Sequence, residues 1–348
     1  MQLVKRLTEM NNPTIKDVAK KANVSIATVS LVVHNHSRIS EETKLRVNDA
    51  IKKLNYHPSR SARGLVSRKT GNIGFILTND HFLRTEPFYT HIFIGTEFEA
   101  RENELYVLLA TVNSNFSEND TLPRFILDRS VDGIIIAGKI PPILLDKLSH
   151  YNLPIVFIDY LPENKKYPGV LVDNICGGKL ATEHLIELGH KNIAFVGGDV
   201  EHPSIKDRLN GYKEALTEAK ISYNSNIVEV KEEYPGRING YNAAKKLLSY
   251  GNNMTAVFAC NDAMAIGFIQ YLREKGLKVP QDISVIGFDD VVPENSFEPA
   301  LSTVKISKME MGVEAMKLMS SILKGQTSGN KKILVPVELV IRKSTKVI

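Results

Sequence analysis

The chain has 348 residues, 43% hydrophobic and 24% charged, with a formal net charge of +5. That length exceeds one ordinary domain, the composition is globular, and no apolar run approaches the ~20 residues of a membrane-spanning helix. The charge is uneven: residues 1–70 carry 14 Lys+Arg against 5 Asp+Glu, a net of +9, while the rest nets −4. A basic head on a mildly acidic body fits a phosphate-binding module joined to something that does not touch nucleic acid, although a solvated basic face would look the same.

Thr14 opens a first helix, and Asp17 three residues on completes a capping box. Ile15, Val18, Ala19 and Ala22 recur at helical spacing on its inner face. Asn23-Val24 makes a turn and Ser25 caps a second helix. Val29, Val32 and Val33 face inward there, leaving Ser25, Ile26, Ala27, Thr28 and Leu31 outside. A third helix runs from Ser40 to about Leu54, with Glu41 and Glu42 where the helix dipole favours negative charge and Val47, Ile51 and Leu54 as its apolar stripe. Two short helices around a tight turn, braced by a third, are a common DNA reader because one helix fits the major groove. A small helical protein-binding module is the competing reading.

Pro58 begins a basic stretch holding Arg60, Arg63, Arg68 and Lys69, which Gly64 weakens as a helix. Leu65 has no local core to join. It can wedge between base steps in a minor groove, or pack against a second copy of the chain.

From Gly71 on, apolar runs alternate with amphipathic helices. Strands are expected at 73–77, 106–110, 133–137, 155–158, 170–172, 193–196, 227–230, 256–259, 285–288 and 334–337, with helices such as 177–188, 205–219 and 263–275 between them. This is an α/β pattern of parallel sheets covered on both faces, long enough for two sheets and hence two lobes. Ligands in such folds bind at the carboxyl ends of strands. Polar residues stand there: Asn79 and Asp80, Asp159, Asp173 and Asn174, Asn261 and Asp262, Asp289 and Asp290. Each carboxylate could equally cap the helix that follows. Their recurrence in both halves favours a shared cleft, where carboxylates and amides pair with sugar hydroxyls and Tyr160 or Tyr234 stacks on a pyranose face.

The segments TIKDVAKKANVSIATVS, LNYHPS and ARGL resemble the head and hinge of the lactose-repressor (LacI/GalR) family of bacterial transcription regulators. The likeness continues in order through SVDGIIIAG, LGHKNIAFVGG, RLNGYKEAL, TAVFACNDAMAIG, GLKVPQDISVIGFDD and VELVIRKST, over residues 13 to about 345. It implies a three-helix helix-turn-helix DNA-binding domain at 13–57 and a hinge at 58–70. It further implies a periplasmic-binding-protein-like body at 71–348, with an N-lobe at about 71–172 and 303–331 and a C-lobe at about 173–302 and 332–348. By position, Ile26, Ala27 and Leu31 face bases, with Ser25, Thr28 and Ser30 nearer the backbone; Thr14, His34, Tyr56, Arg63 and the minor-groove Leu65 complete the DNA set. Leu31 stands where relatives often carry a basic or polar residue, and His34 where Asn is common. An apolar Leu31 cannot make an arginine's bidentate contact with guanine but can touch a thymine methyl.

For the effector, the resemblance implies Arg208, Asp289, Asp262 and Asn261 first, then Asp159, Asp173, Phe88, Tyr160, Ser204 and Tyr234. His202 falls where the purine-responsive branch carries an arginine, which argues against a purine. The implied function is a repressor acting on double-stranded operator DNA as a homodimer, controlled by a small molecule of the sugar class. A sugar-binding module with impaired DNA binding is the alternative, suggested by Leu31 and His34. Leucine heptads are absent from the C-terminal stretch, which favours a dimer over a tetramer. Met10 stands where the family pattern starts and is a candidate initiator.

Nothing in the chain asks for a cofactor or an enzyme's reactive constellation. There is no G-x-S-x-G elbow and no H-E-x-x-H, and His150, His184, His190 and His202 lack metal-site spacing. Gly177-Gly178-Lys179 lacks a phosphate loop's upstream glycine and following hydroxyl, and Gly197-Gly198-Asp199 is not a dinucleotide fingerprint. Cys176 and Cys260 read as free thiols of a reducing cytoplasm.

Overall fold

A computed structural model describes residues 13–33, 38–56, 69–82, 87–162, 166–232, 235–251, 253–291, 298–327 and 329–348. His34, Arg63, Leu65, Tyr234, Met10 and hinge residues 58–68 lie outside this set. The chain divides into two compact units between Thr70 and Gly71.

In the first unit, α1 (Ile15–Ala22), α2 (Ile26–Val33) and α3 (Glu41–Leu54) enclose a small core. Both the backbone N–H and the hydroxyl of Thr14 donate to the Asp17 carboxylate, at 2.8 and 2.7 Å, so the start of α1 is fixed locally. Asn23 ends it in the left-handed region (φ 54°), a conformation that asparagine tolerates, and the Val24 N–H returns to Ala19 O at 3.0 Å. Ser25 Oγ accepts from Thr28 N at 3.0 Å and starts α2 at once. Val18, Ala19, Ala22, Val29, Val32, Val47, Ala50 and Tyr56 are buried together. Tyr56, expected among the DNA contacts, is 8% exposed and is the largest side chain of this core.

The second unit is built on two six-stranded sheets. The first takes β1 (Asn72–Thr78), β2 (Tyr106–Val112), β3 (Gly133–Ala137), β4 (Ile155–Ile158), β5 (Gly169–Val172) and β11 (Lys332–Val335), in the all-parallel order β11-β5-β4-β3-β1-β2. The second takes β6 (Ile193–Gly198), β7 (Val228–Glu232), β8 (Ala256–Ala259), β9 (Ser284–Asp289), β10 (Ser302–Ile306) and β12 (Val337–Val340), ordered β12-β10-β9-β8-β6-β7, with only β12 antiparallel. Side chains alternate between the two faces of each strand. Ile134 and Ile136 enter one cluster while Ile135 and Ala137 enter the other, so both faces are covered. Each such fully buried aliphatic side chain contributes about 1.5–3 kcal/mol.

The helices that cover the sheets are α4 (Phe88–Glu102), α5 (Pro142–Ser149), α6 (Asn174–Glu187), α7 (Pro203–Glu218), α8 (Arg237–Ser249), α9 (Asp262–Glu274) and α10 (Lys308–Leu323). α10 packs on α4 and on strands of the first sheet. The chain therefore crosses between lobes after β5, between Ile306 and Lys308, and at Pro336. The lobe bounds expected at 303 and 332 shift accordingly: 302–306 belongs to the second sheet and 332–335 to the first. The strand expected at 334–337 is two strands in two sheets, because Pro336 has no N–H to continue either ladder. β10 escaped the sequence reading because its Ser302, Thr303 and Lys305 interrupt the apolar run.

Candidate functional site

On the head, α2 presents Ile26 (45% exposed), Ala27 and Leu31 (37% exposed) outward, while Val29 and Val32 hold it to the core. Ser25 is exposed, and its hydroxyl lies 2.9 Å from that of Thr28, so these two groups stabilise the helix start while staying near the surface. Thr14, Lys16, Lys20 and Lys21 are exposed on and beside α1, and Ser30 is half-buried. Sequence reasoning passed over these three lysines as contact residues, although they supply the positive charge that phosphates require.

In the body, a cavity of about 570 Å³ opens at the carboxyl ends of strands from both sheets. Arg208 lies at its base and is positioned by close helix packing. A Cβ on Gly178 would stand 2.3 Å from Arg208 O, and one on Gly211 2.1 Å from Ile175 O, so only glycines let α6 and α7 approach this closely. Gly178, weighed above as part of a phosphate loop, is thus a packing residue. The Arg208 guanidinium stacks 3.7 Å above the Phe288 ring. It donates to Asn174 Oδ1 at 2.8 Å and Cys260 O at 2.5 Å, and pairs with Asp289 Oδ1 at 3.2 Å.

Asp289 and Asp159 end strands in different sheets, and both adopt left-handed backbone, at φ 102° and 65°. Such strain costs on the order of 1–3 kcal/mol per non-glycine residue and gathers at functional sites. Tyr89 donates its hydroxyl to Asp159 Oδ2 at 2.9 Å. Lys308, the first residue of α10, donates to the carbonyls of Asp289, Asp290 (3.1 Å) and Ile306 (3.2 Å). It thereby ties the Asp289 turn to the segment that crosses between lobes.

Of the expected effector residues, Arg208, Asp289, Asn261, Asp159, Phe88 and Ser204 line the cavity. Asp262, Asp173 and Tyr160 do not. The Asp262 carboxylate is buried behind the site, accepting from Thr303 Oγ1 at 2.6 Å and Val291 N at 2.9 Å. Burial first, and then the neighbouring Asp289, push its pKa up to about 7. Asp173 caps α6 by accepting from Cys176 N at 3.1 Å, the helix-cap role that the sequence left open. The Tyr160 ring lies 6.2 Å from that of His202, which does line the cavity. Asn261 does both jobs: it caps α9 through Met264 N at 2.8 Å, donates to Pro235 O at 2.8 Å and still faces the cavity.

Tyr89, Lys139, Asp199 and His202 also line the cavity without having been chosen from the sequence as effector contacts. Lys139 follows β3, a strand end without a carboxylate. Asp199 follows the Gly-Gly exit of β6, whose sequence resembles a dinucleotide loop only superficially. Burial pushes the Cys260 thiol up to about 11. Among the described residues no group of three or more His, Cys, Asp or Glu is placed to hold a metal, and no helix is long and apolar enough to cross a membrane.

Residues 14–59 match the model of bacterial regulatory proteins of the lacI family, and residues 182–345 that of the periplasmic binding protein-like domain. The HTH-type transcriptional repressor PurR of Pasteurella multocida is 35% identical over 335 residues, covering 96% of this chain and 98% of that protein. The chain belongs to the lacI family. The ribose operon repressor of Haemophilus influenzae is 31% identical, over 95% of this chain and 98% of its own. Among solved structures, a lac repressor dimer bound to operator and the anti-inducer ONPF superposes with a TM-score of 0.79 at 28% identity, over 97% of this chain and 100% of that one. A CelR–cellobiose complex superposes at 0.72 and 30%, over 95% and 99%. As a lacI-family protein the chain is a DNA-binding transcriptional regulator, with a helix-turn-helix head and a ligand-binding body.

Proposed function

We propose that this regulator is a homodimeric cytoplasmic repressor whose hold on operator DNA is set by a sugar bound in the body's cavity. The observation that carries the reading is a matched pair of carboxylates. Asp159 and Asp289, at strand ends of different sheets, face one cavity of about 570 Å³, a volume suited to a small ligand. Each can accept from vicinal hydroxyls, and Phe88, Pro141 and Pro142 offer apolar surface to a sugar ring. The cellobiose in the CelR complex, the ribose in another lacI-family regulator and the ribose operon relative support the sugar class.

On the head, Ile26, Ala27 and Leu31 form the base-reading face and Lys16, Lys20 and Lys21 the phosphate contacts. For the dimer, Phe98 of α4 with Tyr106 and Leu109 of the edge strand β2 leave apolar surface exposed. A melting screen of sugars, with a purine base included, tests the effector. Stabilisation follows RT ln(1 + [L]/Kd), about 2.7 kcal/mol at 100 Kd. A sugar should raise the melting temperature in the wild type and fail to do so in Asp289→Ala. A purine base binding where no sugar does would reject the reading. Gel shifts at two salt concentrations test the head, which should bind specific fragments in a salt-sensitive way.

A further inference from the structure

Resting on the sugar reading of this cavity, we infer that its ligand is an uncharged, unphosphorylated mono- or disaccharide, and that the lining is built to reject the phosphorylated form. Among the described residues, four carboxylates line the cavity: Asp80, Asp159, Asp199 and Asp289. Arg208, the cation placed deepest, is already committed. Its guanidinium is bonded to Asn174 and Cys260, paired with Asp289 and stacked on Phe288, with a side chain only 7% exposed. A phosphate group would have to compete with Asp289 for it. Among the described lining residues, the other lysine or arginine, Lys139, is exposed. The Lys308 ammonium donates to three backbone carbonyls and does not line the cavity.

Backbone N–H groups near the cavity are only partly available: side chains cap the starts of α6 and α9, while α4, α5 and α7 begin without a side-chain cap. Helix N-termini supply phosphate sites when their first N–H groups are free and no anion precedes them. α7 does begin at the cavity, but its first residue is Pro203, which has no N–H. The Ser204 hydroxyl is 2.6 Å from His202 Nδ1, and Asp199 stands just before the helix. The start of α9 is closed by the Asn261 side chain and has Asp262 in its first turn, and that of α6 is closed by Asp173. Neutral hydroxyls can pair with these four carboxylates, whereas a phosphate dianion meets like charge in them, an arrangement that proteins use against the wrong ligand. The carboxylate field reaches beyond the lining, since Asp289 helps to raise the pKa of Asp262 behind it.

The test is a set of matched pairs titrated calorimetrically into the full-length chain: D-ribose and ribose 5-phosphate, D-glucose and glucose 6-phosphate, cellobiose and its 6′-phosphate. At least one neutral member should bind, and its phosphorylated partner should be weaker on the order of a hundredfold. In Asp199→Asn, which keeps an oxygen to accept the Glu201 N–H now held at 2.9 Å, that gap should narrow about tenfold. A phosphorylated member binding as well as its neutral partner or better would overturn the inference and leave the sugar reading intact. A gap that Asp199→Asn does not narrow would also overturn it, because charge would not be the cause. Binding by neither series would remove the sugar reading itself.

Discussion

The head gathers its proposed reading face from neighbours in sequence, Ile26, Ala27 and Leu31 on one short helix, whereas the body gathers its cavity from residues as far apart as Asp80 and Asp289. Their cores differ as sharply. The described head buries eight side chains, mostly valines and alanines, while the body covers two sheets on both faces. A small helical unit can be specified by caps and spacing alone, but a cleft between sheets exists only once remote strands have paired. The two parts should therefore fail separately, and variants in each can show whether they do.

The largest effect is expected at Arg208→Ala. Removing the guanidinium strands the Asp289 carboxylate and empties the space over Phe288, which should destabilise the body by about 3–5 kcal/mol and abolish sugar binding. Calorimetry should show the body transition lowered and any separate head transition unmoved. Next comes Tyr56→Ala, expected to cost the head about 3 kcal/mol and to abolish operator binding while the sugar-induced shift of the body persists. A loss of sugar binding in this variant would contradict the separation.

Leu31→Arg probes the reading face without touching either core. It should introduce preference for guanine at one base position, about 1–3 kcal/mol, when duplexes are selected from a randomised pool. Unchanged base preference would remove Leu31 from the interface. The pH dependence contributed by Asp262 is spread over a wide window. Its folded pKa is raised from the ordinary 3.8 to about 7, so its contribution is fully present below about pH 4 and is lost as pH rises through 7. Asp262→Asn should therefore gain stability relative to wild type as pH rises over that window, by at most about 1.4 kcal/mol per pH unit, in paired denaturation series.

The same contrast explains what the sequence could convey. The Thr14–Asp17 box, the Asn23 turn and the Ser25 cap are local chemistry, and each was legible before any folding. Strand-end carboxylates were legible as a class, because apolar runs mark where strands stop. Their sorting was not: Asp289 and Asp262 look alike in sequence, yet one faces the cavity and the other bonds Thr303 on a strand that its mixed polarity concealed. Lys139 and Asp199 depend on which loops the two sheets bring together, and Tyr89 on how α4 is seated. Pro336 was visible, but its meaning as a lobe crossing needed the pairing of β11 and β12 with different sheets.

The account rests on the cavity governing the head, and linkage tests that directly. Affinity for an operator fragment should be measured with and without the neutral sugar found by titration, in wild type and in Asp289→Ala. The sugar should change wild-type affinity by roughly 5–150-fold, the fragment should change sugar affinity by the same factor, and Asp289→Ala should show neither effect. A wild-type protein saturated with sugar and holding the fragment with unchanged affinity would contradict it.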